Sequence, residues 1–262
     1  MGIGILLSNI VAIYRKELQG YFASPLAYAI AGVFWLLAGF FFVVILQNVI
    51  VGAAQYASPD QPIDVASTTL QSFLGIMGAL SLFILPILSM GLYTEERKRG
   101  TLELLATSPI TNWAVALGKL LGALTFFATM VVPLLAYEAI AFSAASPPLP
   151  PAVPLLGHGG LILLAAGVLS LGMFLSSLTE STILAAVYTF ALVLFLWIID
   201  TVANNVTGPL GIALGHLSLL KHYNNLVQGV IDTSSLILFA SYIILGLFLT
   251  AQSIEALRFQ RS

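Results

Sequence analysis

The sequence predicts an all-α polytopic membrane protein with six transmembrane helices. Three observations carry that prediction. First, 59% of the 262 residues are hydrophobic and only 8% are charged, with a mean hydropathy of +1.03, whereas a soluble domain carries roughly 25% charged residues. Second, the charges are confined to short islands between apolar runs long enough to cross a bilayer, which takes about 20 residues. Third, eight of the nine Lys and Arg residues (Arg15, Lys16, Arg97, Lys98, Arg99, Lys119, Arg258 and Arg261, against Lys221) fall on one side under a six-span topology. The positive-inside rule then puts both termini in the cytoplasm.

Residues 1–24 read as an N-terminal interfacial helix, and residues 25–262 as the membrane domain. In the first segment Ile3, Leu7, Ile10, Tyr14, Leu18 and Tyr21 recur at steps of three and four, with Ser8, Ala12, Arg15, Lys16 and Gln19 on the other side. Such a stripe suits a helix lying in the plane of the interface. Arg15, Lys16 and Glu17 follow an apolar stretch instead of preceding it, the wrong order for a cleaved secretory signal.

Six spans are expected at about 26–51, 69–93, 112–142, 155–178, 182–200 and 233–255. The first is uncharged from Leu26 to Val51. The loop after it contains Pro59, Asp60, Pro62 and Asp64 and no Lys or Arg, so it reads as external. The second span includes Pro86, where a kink is expected. Thr111 and Asn112 are both good N-caps for the third, with Trp113 in the interfacial aromatic belt and Lys119 expected to snorkel to the headgroups. Five prolines between Pro147 and Pro154 end that helix in a second external loop. Ser176 to Ser181 reads as a tight cytoplasmic turn between spans four and five.

Thr201 to Leu220 is uncharged but carries Asn204, Asn205, Thr207, Gly208, Pro209, Gly211, Gly215 and His216. This stretch is too polar and too broken to cross. With the residues up to Asp232 it reads as an external re-entrant helix pair, 204–232. His216, His222, Gly229 and Asp232 are its candidate gate residues.

The densest charge island is the elbow, 94–109, which holds Glu95, Glu96, Arg97, Lys98, Arg99 and Glu103. Thr94 is expected to cap a helix whose first turn carries Glu95 and Glu96, where the helix dipole favours carboxylates. Gly100 should break that turn. Thr101 can restart a short helix with Leu102, Leu104 and Leu105 on its apolar side, ending at Ser108 and Pro109.

Other chemistry is not encoded. A net charge of −2 gives nucleic acid no clustered basic face. There are no cysteines, so disulfides and thiolate sites are excluded. No Gly-x-x-x-x-Gly-Lys-Ser/Thr phosphate loop occurs, because Gly118-Lys119 is followed by Leu120 and lacks the upstream glycine. His158, His216 and His222 share no metal-ligand spacing and read as interfacial histidines. Glu138 lies 25 positions beyond Trp113, about 37 Å along a helix, which puts it at the external interface, where a structural role is expected ahead of a proton relay.

Glu95-Glu-Arg-Lys-Arg-Gly-Thr-Leu-Glu-Leu-Leu-Ala-Thr-Ser-Pro109, followed by Trp113 and Leu117-Gly-Lys119, resembles the cytoplasmic loop between spans two and three of type 2 ABC transporter (ABC-2) permeases. Arg15 to Pro25 and His222 to Asp232 look like the gliding-motility-type branch of that family. The resemblance covers nearly the whole chain. It implies a permease half in the cytoplasmic (inner) membrane, with the elbow as a coupling helix seated on a separate cytoplasmic ATPase subunit through Glu95, Glu96, Arg97, Gly100, Thr101, Leu102, Glu103 and Leu104. It further implies a second permease half, identical or paralogous, and, in the motility branch, an auxiliary protein with a periplasmic domain. Membrane lipids complete the set of partners. ATP and Mg would reside on the ATPase, with no cofactor and no catalytic residue in this chain. The alternative reading is a non-transporting anchor that passes ATPase movement to an envelope or motility machine.

Overall fold

Ten α-helices and no strand make up the secondary structure among the residues that the computed structural model describes, 3–56, 64–101, 110–143 and 145–259. In chain order they are α1 (Ile3–Ala23), α2 (Pro25–Tyr56), α3 (Val65–Ser89), α4 (Gly91–Lys98), α5 (Asn112–Phe142), α6 (Ala152–Ser177), α7 (Thr182–Asn205), α8 (Pro209–Leu217), α9 (Leu219–Val227) and α10 (Thr233–Phe259). Six helical stretches are long and apolar enough to cross a membrane: α2, α3 run on into α4, α5, α6, α7 and α10. The chain is an all-α, multi-pass membrane protein.

Local chemistry sets where these helices begin. Asp64 Oδ1 accepts from the Ser67 N–H at 3.0 Å to start α3. Thr111 Oγ1 accepts from the Ala114 N–H at 3.3 Å to start α5, so of the two candidate caps it is Thr111 that acts. Ser181 Oγ caps α7 through the Leu184 N–H at 3.4 Å. Each satisfies a donor that the first helical turn leaves orphaned.

Helix α6 is the centre of the bundle, with 72% of its apolar window buried against 17% for α7. Its small residues allow this. Ser170 lies where a Cβ on Gly246 of α10 would clash with its backbone, and its Oγ donates to the Tyr242 carbonyl at 3.2 Å. Close approach of backbones is how helices associate where lipid removes the hydrophobic drive. Around α6 the fully buried Phe34, Phe73, Leu74, Met77, Leu85, Phe127, Met130, Leu134, Leu161 and Phe239 fill the core.

Four expectations are corrected. The second span does not end before Thr94. After a single turn residue at Met90 the helix continues to Lys98, and the buried Thr94 donates its hydroxyl to the Met90 carbonyl at 2.7 Å instead of capping anything. Leu92 and Tyr93 are buried as well, so apolar packing carries the helix past the point where polarity suggested a start. The fifth span likewise runs past Asp200 to Asn205.

Third, α1 does not merely lie along an interface. It packs on α5, where Gly118 meets the Ile13 side chain and the Ile10 carbonyl, and Gly122 meets Glu17. A Cβ at either glycine would fall within 3.0 Å of α1 atoms, at 2.8 Å and 2.7 Å respectively, so the four-residue glycine spacing makes a groove for α1. Fourth, Lys119 does not snorkel; it is 2% exposed. Pro86 sits inside α3, and its carbonyl accepts from the Met90 N–H at 3.1 Å.

Candidate functional site

The charged island begins as the last turn of a long helix. At its end Gly100 adopts φ +69°, the Gly100 N–H reaches the Arg97 carbonyl at 3.1 Å, and the Thr101 N–H reaches the Glu96 carbonyl at 3.0 Å. These two bonds form a Schellman stop, and the left-handed φ is why glycine stands there. Leu102, Glu103, Leu104 and Leu105 lie outside the described residues, as does the loop containing Asp60.

Carboxylates at a helix C-terminus oppose the helix dipole. Cations from other helices offset this. Lys119 Nζ of α5 lies 2.8 Å from Glu17 Oε1 of α1 and 3.0 Å from Glu96 Oε1 of α4. Its ammonium also stands 5.1 Å from the centre of the buried Tyr93 ring, in cation–π range. Lys16 Nζ adds a second contact to Glu96 Oε1 at 3.4 Å. Nearby, Tyr21 Oη donates to the Leu88 carbonyl at 2.7 Å, and burial together with Glu17 pushes its phenol well above its ordinary pKa. On the other flank Arg97 Nη1 donates to the Ser177 carbonyl at 2.6 Å, with Glu180 Oε1 3.9 Å from its Nε. A guanidinium at the C-terminus of α6 is favoured by that helix's dipole as well.

The structure therefore divides the predicted coupling residues. Glu96 and Arg97 are anchors that tie the elbow to α1, α5 and the turn after α6. Glu95, Gly100 and Thr101 are exposed, together with Lys98 and Arg99; Glu95 and Arg99 pair along the helix at 3.4 Å. Among the described residues a partner surface can read only the exposed group. Sequence reasoning missed Lys119 and Glu17 as members of this site. The pointers were Gly118 and Gly122 flanking Lys119, and one acidic residue on the face of α1 that meets them.

At the opposite end of the bundle, α8 and α9 replace a crossing helix. Gly229 has φ +79° and ends α9 with the same paired bonds as Gly100, from Gly229 N–H to the Leu226 carbonyl and from Val230 N–H to the Asn225 carbonyl. Asp232 begins α10: its carbonyl accepts from Ser235 N–H, and its Oδ1 accepts from Ser234 N–H at 3.0 Å. His222 is buried, with Nδ1 2.8 Å from Ser235 Oγ of α10. Burial lowers its pKa below the ordinary imidazole value, so it is neutral at pH 7. His216 is exposed on α8. His222 and Asp232 thus both bond to Ser235 at the start of α10, and the His216 backbone and the charges of Asp232 and His216 act on the same His222 ring. His158 is buried too, so only His216 fits the expectation of an interfacial histidine.

Tyr223 fastens α9 to the bundle. Its ring fills the space over Gly78 of α3, and its hydroxyl donates to the Leu74 carbonyl at 2.5 Å.

Six membrane-length helices, an elbow with an exposed charged tip and a helix pair at the far end define a multi-pass membrane protein. Residues 11–262 match the model of the ABC-2 family transporter protein. The chain belongs to that family, as a permease subunit of an ABC transporter. ABC-2 permeases generally pair with a cytoplasmic ATPase and form dimers. No curated protein matches the chain.

Proposed function

We propose that this chain is one permease half of an exporter that moves its substrate across the cytoplasmic membrane on ATP hydrolysed by a separate subunit. The observation that carries the reading is the elbow. Glu96 and Arg97 pin it to three other elements, while Glu95, Lys98, Arg99, Gly100 and Thr101 face outward. A rigid base under an exposed charged tip is what a coupling contact requires, since charged rims set register and partner choice at interfaces. In this reading the elbow and both termini are cytoplasmic, consistent with the eight-to-one distribution of basic residues. A second half, identical or paralogous, covers the face of α7 on which Ile183, Val187, Phe195, Trp197 and Ile198 are exposed. The segments Arg15–Pro25 and His222–Asp232 support placement in the gliding-motility-type branch.

The test is copurification. Tagged full-length protein expressed with its chromosomal neighbours should bring down a nucleotide-binding ATPase, and charge reversal at Glu95, Arg99 or Glu103 should weaken that association while insertion stays normal. An ATPase retained equally by all three variants would remove the elbow from the contact. Absence of any ATPase from the wild-type complex would sink the reading itself.

A further inference from the structure

Glu138 of α5 and His158 of α6 face one another near the far end of the bundle, with Oε1 and Nε2 3.6 Å apart. They are 2% and 5% exposed. Neither Glu138 oxygen nor His158 Nε2 has a hydrogen-bond partner among the described residues. His158 Nδ1 lies 2.9 Å from the Pro154 carbonyl. A carbonyl only accepts, so Nδ1 carries the hydrogen, and in the neutral ring Nε2 is the bare lone pair turned toward the carboxyl group.

An ionised carboxylate without a donor is among the costliest groups to bury, and an imidazolium facing it must also be desolvated. One proton on the carboxyl group removes both charges and supplies the missing donor. Among the described residues no other hydrogen bond compensates either group. Helix α2 contains no Asp, Glu, Lys, Arg or His, and α3 contains none beyond its cap, Asp64. On α5 the other charge is Lys119, nineteen residues away at the elbow end and already paired. On α10 Glu255 and Arg258 belong to the elbow end, and α7 contributes Asp200. From α8 and α9 come His216, Lys221, His222 and Tyr223. Of these His216 and Lys221 are exposed, His222 turns Nδ1 to Ser235, and Tyr223 donates its hydroxyl to the Leu74 carbonyl.

Helix α9 packs against α6 beside the pair. Gly157 and Gly160, on either side of His158, lie against Val227 and against Leu226 and Tyr223. We propose that Glu138 and His158 form a buried proton-binding site beneath α9. A proton taken from water converts the Glu138 carboxylate to a carboxylic acid, whose O–H donates to His158 Nε2 once the 3.6 Å gap closes. The proton is held while α9 is seated and is released to water when α9 lifts.

Infrared spectra of the full-length protein in lipid nanodiscs at pH 7 should show a protonated-carboxyl band that is lost in Glu138→Gln and shifted in His158→Gln, where the hydrogen-bond partner changes. Its absence from the wild type would mean an ionised Glu138 and would overturn the proposal, as would a band indifferent to His158→Gln. Hydrogen exchange of the α9 amides, corrected for intrinsic rates, should accelerate about tenfold per pH unit over the range in which the seated state holds the proton and the lifted state does not, and level off where the seated state loses it too. In Glu138→Gln, which carries its donor permanently, the same amides should show no such slope. Equal slopes in the two proteins would sever the proton from the seating of α9.

Discussion

Lys119 and Glu17 meet at 2.8 Å between α5 and α1, and through the same ammonium Glu96 joins them from α4. One buried cation therefore fixes the first helix, the third span and the elbow in a single arrangement. Removing a buried partner leaves uncompensated charge and costs about 3–5 kcal/mol. Lys119→Met should lower the Tm of the purified protein, and the double variant Lys119→Met/Glu17→Gln should recover part of the loss. A double variant no more stable than the single one would show that the contact is incidental.

Orientation can be read from accessibility, because the chain has no native Cys. Single cysteines at Ser146 and Asn224, both exposed, are expected to react with an impermeant maleimide added to intact cells. A cysteine at Thr179, in the turn near Arg97, should react only after permeabilisation. Labelling of Thr179→Cys from outside would invert the topology.

Gly100→Val tests the elbow without touching a charge. At φ +69° a β-branched residue costs on the order of 1–3 kcal/mol, so the Schellman stop should open while the spans remain inserted. The expected outcome is weaker ATPase association at normal membrane expression. Gly100→Asn, which tolerates this conformation better, should be milder; if the two substitutions act alike, backbone geometry is not what the position requires.

The far end should respond to acid. The folded pKa of His222 lies below its ordinary value because the ring is buried, so the unfolded chain takes up a proton first as pH falls. Stability is then fully present above about pH 6.5, the unfolded value, and declines below it. The fall in Tm between pH 7.5 and pH 5.5 should be larger in the wild type than in His222→Gln. Parallel curves would assign the acid response to other groups.

The spans, the Thr111 cap and the Gly100 stop were legible because each follows from local chemistry: an apolar run, a hydroxyl before a helix, a glycine after one. What the sequence hid is tertiary. Lys119 reads as a snorkelling residue until α1 is known to lie in the groove at Gly118 and Gly122, and Thr94 reads as a cap until the burial of Leu92 and Tyr93 carries the helix through it. The enclosure of Glu138 was hidden for the same reason. Arithmetic along one helix gives its height, but not that His158 of a neighbouring helix encloses it.

The continuity of α3 and α4 has a mechanical consequence. Glu96 sits at one end of this rod, and at Leu74, some 22 residues or about 33 Å away along the axis, the hydroxyl of Tyr223 is fastened. A tilt imposed at the handle must therefore appear at the latch, with only the Met90 turn and Pro86 between them to absorb it.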